Sequence, residues 1–268
     1  MKDTLKMDAN LNRRAFLTRA SLLGGAVLLP RLGLASESEA PGHDQDADDK
    51  VHLTAGDKRI IIAAEIAEAL AVTTYMNIIN TSPFFSDLPQ ADQDYLTAAL
   101  QEEMSHYAAL ASLTNKPTPY TTFYYPAGMF TDPQTTVNIL VTLEDAFIAA
   151  YLVGVRDFSS ANLRVTAARI MGIESDHRSL ARVIAADLNL ITVTGAQNVA
   201  ENVSPANNNG YERTLAWTNI SQAVAALTPF VDVTAAGNAG FDTAVSYAFA
   251  PFTPTLPSAL GGFISFEG

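Results

Sequence analysis

From Lys58 to Asn80 apolar residues recur at helical spacing, at Ile61, Ile62, Ile66, Leu70, Val72, Ile78 and Ile79, and no Pro or Gly interrupts them. The pattern predicts a first long helix. Asp87-Leu88-Pro89 restarts the chain, and an Ala- and Leu-rich stretch from Pro89 or Gln90 through Thr114 predicts a second. The short connection between them predicts antiparallel packing. Thr114 to Asp132 is different: its 19 residues hold three Pro, one Gly and five Tyr or Phe, without a consistent period. Extended, such a segment reaches roughly 60 Å, more than the roughly 36 Å length of a helix of about 24 residues. It can therefore cross over along a whole bundle. Asp132-Pro133 opens a third helix to about Phe158, and Ser159-Ser160 caps a fourth running to about Leu190. Four helices joined by short, long and short connections predict an all-α fold, a four-helix bundle over residues 58–190. The extension 191–268 is rich in Ala, Asn, Gly, Pro and Thr. It is expected to form one short helix near Ser221 to Leu227 and otherwise irregular loop wrapped on the bundle.

Ahead of the bundle the pattern changes twice. Asn12-Arg13-Arg14-Ala15-Phe16-Leu17 precedes an uncharged run from Ala20 to Pro30, and Gly33-Leu34-Ala35 puts small residues at the −3 and −1 positions of a cleavage site. Residues 1–35 thus look like a twin-arginine signal peptide, which implies the twin-arginine export machinery as a partner and a periplasmic or otherwise exported protein. The apolar run is too short to span a bilayer. Residues 36–57, with Glu37, Glu39, Asp44, Asp46, Asp48 and Asp49, lack the apolar residues for a core and read as an acidic flexible linker; its His43 and His52 belong to a solvated tail.

Charge narrows the partners. The chain carries a formal charge of −12 with a mean hydropathy of +0.12. Without residues 1–35 it holds 10 basic and 26 acidic residues, a charge of −16. A field of that sign repels nucleic acid and anionic membranes and favours cations. There is no cysteine, so any metal must be held by oxygen and nitrogen, which suits Fe, Mn or Zn.

The histidines say where. Outside the tail only His106 and His177 occur, and each has a glutamate three residues before it, Glu103 and Glu174. Three residues apart on a helix lie on one face, so each Glu/His pair can reach one point. Between Thr54 and Leu190 the glutamates are Glu65, Glu68, Glu102, Glu103, Glu144 and Glu174, all in apolar mid-helix surroundings that are unlike a solvated face. Glu68, Glu103, Glu144 and Glu174 fall near the middle of their helices, hence at one level of a bundle. The two halves also resemble one another: Glu68 stands seven residues before Tyr75, and Glu144 seven before Tyr151. Such a duplication predicts a pseudo-twofold site in which each half gives one lone Glu and one Glu/His pair. Four carboxylates and two imidazoles suit two divalent metals, the ligand set known for di-iron and di-manganese bundles. Polar residues satisfying one another in a structural core would be the bland alternative.

Several neighbours compete for roles. Glu65, one turn before Glu68, can replace it or stand behind it; Glu102 lies about 100° around the helix from Glu103 and has no His three residues on. Tyr75 and Tyr151 fit either core packing or a place beside the metals. Asp145 and Asp176 fit either orientation of a ligand His or plain surface acids.

Glu68-Ala-Leu-Ala-Val-Thr-Thr-Tyr75, Glu103-Met-Ser-His106, Leu143-Glu144-Asp145 with Ala150-Tyr151-Leu152-Val-Gly154, and Ile173-Glu174-Ser-Asp-His177 together resemble the ferritin-like domain family, in its branch of exported bacterial and plant desiccation-related proteins. The resemblance covers about Thr54 to Leu190. It implies a ferritin-like bundle with two Fe or Mn ions held by Glu68, Glu103, His106, Glu144, Glu174 and His177, related to ferritins, rubrerythrins and manganese catalases. It implies no settled reaction. The long polar tail and the lack of a rubredoxin-like Cys module depart from rubrerythrin. Two functions follow: an oxidoreductase handling O2, peroxide or Fe(II), of ferroxidase or peroxidase/catalase type, or a non-catalytic metal-binding or desiccation-protective protein of the envelope. Oligomeric state stays open, a homo-oligomer included.

Overall fold

A computed structural model describes residues 52–198, 200–203 and 215–255. The signal segment 1–35 and most of the linker lie outside the described residues. Helix α1 spans Ala55–Thr81 and α2 Gln90–Thr114; after the crossover come α3, Pro133–Asp157, and α4, Ala161–Asp187. Three of the four start where their caps dictate. Asp132 accepts from Thr135 N with Pro133 at the first helical position, and Ser160 Oγ accepts from Leu163 N at 3.1 Å. Helix α1 opens three residues before the predicted Lys58, inside the stretch read as linker, because Thr54 and Asp57 form a reciprocal capping box. Asp57 also accepts from Ser159 N at 2.8 Å and Ser159 Oγ at 2.6 Å, so the cap of α1 is stapled to the α3–α4 turn.

The packing gives each helix a direction. One apolar cluster joins Leu70, Val72 and Ile78 of α1 to Leu96 and Leu100 of α2, Val137 and Leu140 of α3, and Ala181 and Ile184 of α4. A second joins Ile60 and Ile61 to Leu110, Tyr151, Phe158, Leu163 and Ile170. The start of α1 thus meets the end of α2, and the end of α3 meets the start of α4: both pairs are antiparallel, as the short connections require. Between the two clusters lies the level of Glu68, Glu103, Glu144 and Glu174.

The crossover is not all loop. Strand β1, Thr122–Pro126, pairs antiparallel with β4, Phe241–Ala248, in the register Thr122↔Ala248 and Pro126↔Phe241, with an irregularity between Phe123 and Tyr125. The extension further contains β2, Thr192–Thr194, paired with β3, Ala200–Asn202, and the helices α5, Ile220–Val231, and α6, Val233–Asn238. Helix α5 covers the expected Ser221–Leu227 and runs past it. Tyr125 meets Phe130, Phe230 and Tyr247 edge to face, and Phe130 and Tyr247 pack as a tilted pair, where crossover and extension meet the bundle. Helices α1 and α3 are long and apolar enough to cross a membrane by composition alone, but 78% and 72% of their most apolar windows are buried inside the protein. They are core helices.

Candidate metal centre

Each helix brings its predicted residue to one place: Glu68 from α1, Glu103 and His106 from α2, Glu144 from α3, Glu174 and His177 from α4. All six are at most 2% exposed. They form two overlapping groups, Glu68/Glu103/His106/Glu174 and Glu103/Glu144/Glu174/His177, in each of which one potential ligand atom per residue lies within 4.8 Å of the others. Glu103 and Glu174 belong to both. His106 Nδ1 stands 3.4 Å from Glu174 Oε1, 3.5 Å from Glu68 Oε2 and 3.6 Å from Glu103 Oε2. His177 Nδ1 stands 2.9 Å from Glu103 Oε1 and 3.3 Å from Glu174 Oε2.

These approaches lack hydrogen-bond alignment. Glu68 Oε2, both oxygens of Glu103 and of Glu174, Glu144 Oε2, both nitrogens of His106 and His177 Nδ1 are buried without a hydrogen-bond partner. Buried polar atoms are normally satisfied, and a carboxylate left unpaired in an apolar core costs several kcal/mol or more. Donor atoms crowded around shared points without bonding one another are the arrangement a cation would satisfy, and the residues present fit metal binding. The electrostatics agree. Burial, with Glu174 and Glu103 beside it, pushes Glu68 well above the usual carboxylate range; burial, with Glu103 and Glu174 beside it, does the same to Glu144. Burial pushes Glu103 up too, but the imidazoles of His177 and His106 outweigh it and hold that group below the usual range. Both imidazoles would be lowered by burial, yet the carboxylates around them raise them well above the usual value.

Tyr75 and Tyr151 are buried core residues with a polar task. Tyr75 Oη donates to Glu144 Oε1 at 2.6 Å, and Tyr151 Oη donates to Glu68 Oε1. Each half's tyrosine holds the other half's lone glutamate. Burial, then the glutamate it bonds, keeps each phenol well above its usual pKa.

Other expectations need correction. Glu65 is buried but lies outside both groups: its Oε1 accepts from Thr114 Oγ1 at 2.6 Å, one helical turn from Glu68 and bound to the end of α2. Asp145 and Asp176 do not orient a histidine. Asp176 is exposed, and Asp145 is buried in an ion pair with Arg178 while accepting from Ala196 N at 3.0 Å. The carboxylate behind His177 is Glu102, whose Oε2 is 2.9 Å from Nε2. Sequence spacing missed it because Glu102 reaches across from α2 to α4, and no offset along one helix could reveal a contact between two.

Beside the site lies a second polar cluster that the sequence did not announce. Arg178 and Arg182 of α4 both meet Glu201 of β3; Arg178 Nη2 is 3.4 Å from Glu201 Oε1, and Arg182 Nη2 donates to Asn202 O at 2.8 Å. Asp145 completes it from α3. The cluster ties the extension to the helix turns that carry Glu144 and His177.

Residues 56–187 match the family model of the ferritin-like domain. The chain carries a ferritin-like domain. The matched segment contains all six converging residues and follows α1 to α4 almost end to end. No curated protein matches the chain.

Proposed function

We propose that this ferritin-like protein is an exported di-metal carboxylate protein, holding two Fe or Mn ions and acting as an oxidoreductase on O2, peroxide or Fe(II). The observation that carries the reading is the pair of four-residue groups sharing Glu103 and Glu174, with their ligand atoms buried and unpartnered. Glu68 and His106 would help hold one ion and Glu144 and His177 the other, with Glu103 and Glu174, common to both groups, available to each. Four carboxylates then offset two divalent charges in a core that otherwise has no use for them. Bound there, the two ions would supply a pair of adjacent redox centres. The protein's own part is to fix the ligands and exclude bulk water: Tyr75 and Tyr151 orient Glu144 and Glu68, and the apolar clusters on both sides close the level of the site. Small substrates suit so enclosed a centre, and the acidic surface draws cations toward it.

Export rests on Arg13-Arg14 and the small residues before Ser36. Because the twin-arginine route carries folded proteins, the chain would acquire its metal before leaving the cytoplasm.

Fe(II) oxidation and peroxide consumption, measured on one metal-loaded preparation, test the reaction. Turnover in either assay, abolished in Glu103→Ala, is the expected result. A protein that holds its metals and turns over neither substrate would be the non-catalytic metal-binding or protective kind instead.

A further inference from the structure

The two groups are related by an internal repeat, yet different things stand behind their imidazoles. His177 Nε2 is 2.9 Å from Glu102 Oε2, and its ring is flanked edge-on by Tyr75 at 5.6 Å and Tyr95 at 6.5 Å between centroids. His106 Nε2 is equally buried and has no hydrogen-bond partner among the described residues. The difference is written in the repeat. Aligning Glu103-x-x-His106 with Glu174-x-x-His177 sets Glu102 opposite Ile173 and Tyr95 opposite Thr166. An isoleucine side chain offers no acceptor.

We propose that Glu102 is a positioning residue for His177 and makes the Glu103/Glu144/Glu174/His177 cage the tighter of two unequal metal sites, so that the protein loads in two separate steps. The inference rests on the metal reading above. The remaining ligands do not distinguish the cages: Glu103 and Glu174 are common to both, and Glu68 and Glu144 are each held by a tyrosine. The imidazoles do. A carboxylate accepting from Nε2–H keeps the proton on that nitrogen, leaves Nδ1 as a lone-pair donor facing the cage, and makes the ring more basic toward a metal. His106 has no such acceptor, so its tautomer and ring angle must be settled at the moment of binding. At one-third exposure the Glu102 side chain keeps one side in water, and it avoids the cost that a further fully buried carboxylate would bring. The His106 cage is then the one from which a metal exchanges.

Calorimetric titration of the metal-stripped chain with Co(II), followed also by its visible absorption, reads the two steps directly. The wild type should take up two ions in steps about 10- to 100-fold apart in affinity. Glu102→Ala should weaken the first step by about the same factor and merge it with the second, whereas Glu102→Gln, which keeps an acceptor without the charge, should lose less. Ile173→Glu supplies the missing acceptor on the other side and should tighten the second step. His177→Ala should remove the first step and His106→Ala the second, with circular dichroism confirming the fold of each variant. Two equal steps in the wild type, or a first step unmoved by Glu102→Ala, would overturn the inference while leaving the metal reading intact. A wild type that takes up no Co(II) would overturn both.

Discussion

Tyr75, on the first helix, donates its hydroxyl to Glu144, on the third, at 2.6 Å, and Tyr151 returns the same bond to Glu68. The exchange locks two helices that share no connection to the orientation of each other's carboxylate. Replacing either tyrosine by Phe removes one donor and keeps the ring. Tyr75→Phe and Tyr151→Phe should therefore fold normally and still bind two metals at saturation, but with affinity lowered about 10- to 100-fold at the site whose glutamate is released. A metal titration with unchanged affinities would mean that the phenols serve packing alone.

The buried network at the extension should matter to stability rather than to chemistry. Arg178, Arg182, Asp145 and Glu201 are each at most 6% exposed, so Glu201→Ala removes a buried carboxylate that both guanidinium groups share, leaving Arg178 to Asp145 and Arg182 to the Asn202 carbonyl. Breaking such a buried pair costs about 3–5 kcal/mol, measurable by denaturant unfolding. Gly195→Ala should act on the same cluster, since a β-carbon there would collide with Asp145 Oδ2. If Glu201→Ala cost under about 1 kcal/mol, of the order of an exposed pair, the extension would not be anchored through these charges.

The four helices were readable because their signals are local. Pro133, Ser160 and the Glu-x-x-His pairs each act within one helix, and a duplicated pattern placed four glutamates at one level. What could not be read depends on contacts between distant segments. Thr122–Pro126 becomes a strand only because Phe241–Ala248 returns to pair with it. Glu102 finds His177 across a helix interface, while Glu65, in apolar surroundings like those of Glu68, turns away to Thr114. Asp57 looked like linker because its partners, Thr54 and Ser159, sit at two separate turns.

Stability should depend on pH in opposite senses with and without metal. Glu68, Glu144, His106 and His177 all have raised pKa values in the metal-free fold. The folded state then binds more protons than the unfolded one, so their contribution is present at lower pH and lost as pH rises through the raised values. Glu103 and Asp57 act oppositely. Asp57 is lowered to about 2, because hydrogen bonds from Ser159 and Thr54 outweigh its burial. The stability these two give is lost only as pH falls below their ordinary values of 4.5 and 3.8. Metal-free protein should therefore gain stability as pH falls from the raised values toward the ordinary imidazole and carboxylate values of 6.5 and 4.5, whereas the loaded protein should lose it as protons displace the metal. Melting curves with the same slope in both forms would contradict this.

Export can be tested apart from the site. Arg13→Lys with Arg14→Lys keeps the charge but removes the paired guanidinium groups. The precursor should then remain in the cytoplasm, as cell fractionation would show. Normal export of the variant would refute the twin-arginine assignment.

Metal content decides the central claim most directly. Elemental analysis of the chain, purified from metal-replete cells without chelator, should find about two Fe or Mn ions per molecule, the number the two sharing groups can hold. His106→Ala and His177→Ala should each hold fewer, and chelation should lower the melting temperature of the wild type at neutral pH. A wild-type chain that carries no metal, takes none up when offered, and melts at the same temperature with and without chelator would show that the six buried residues are not a metal cage.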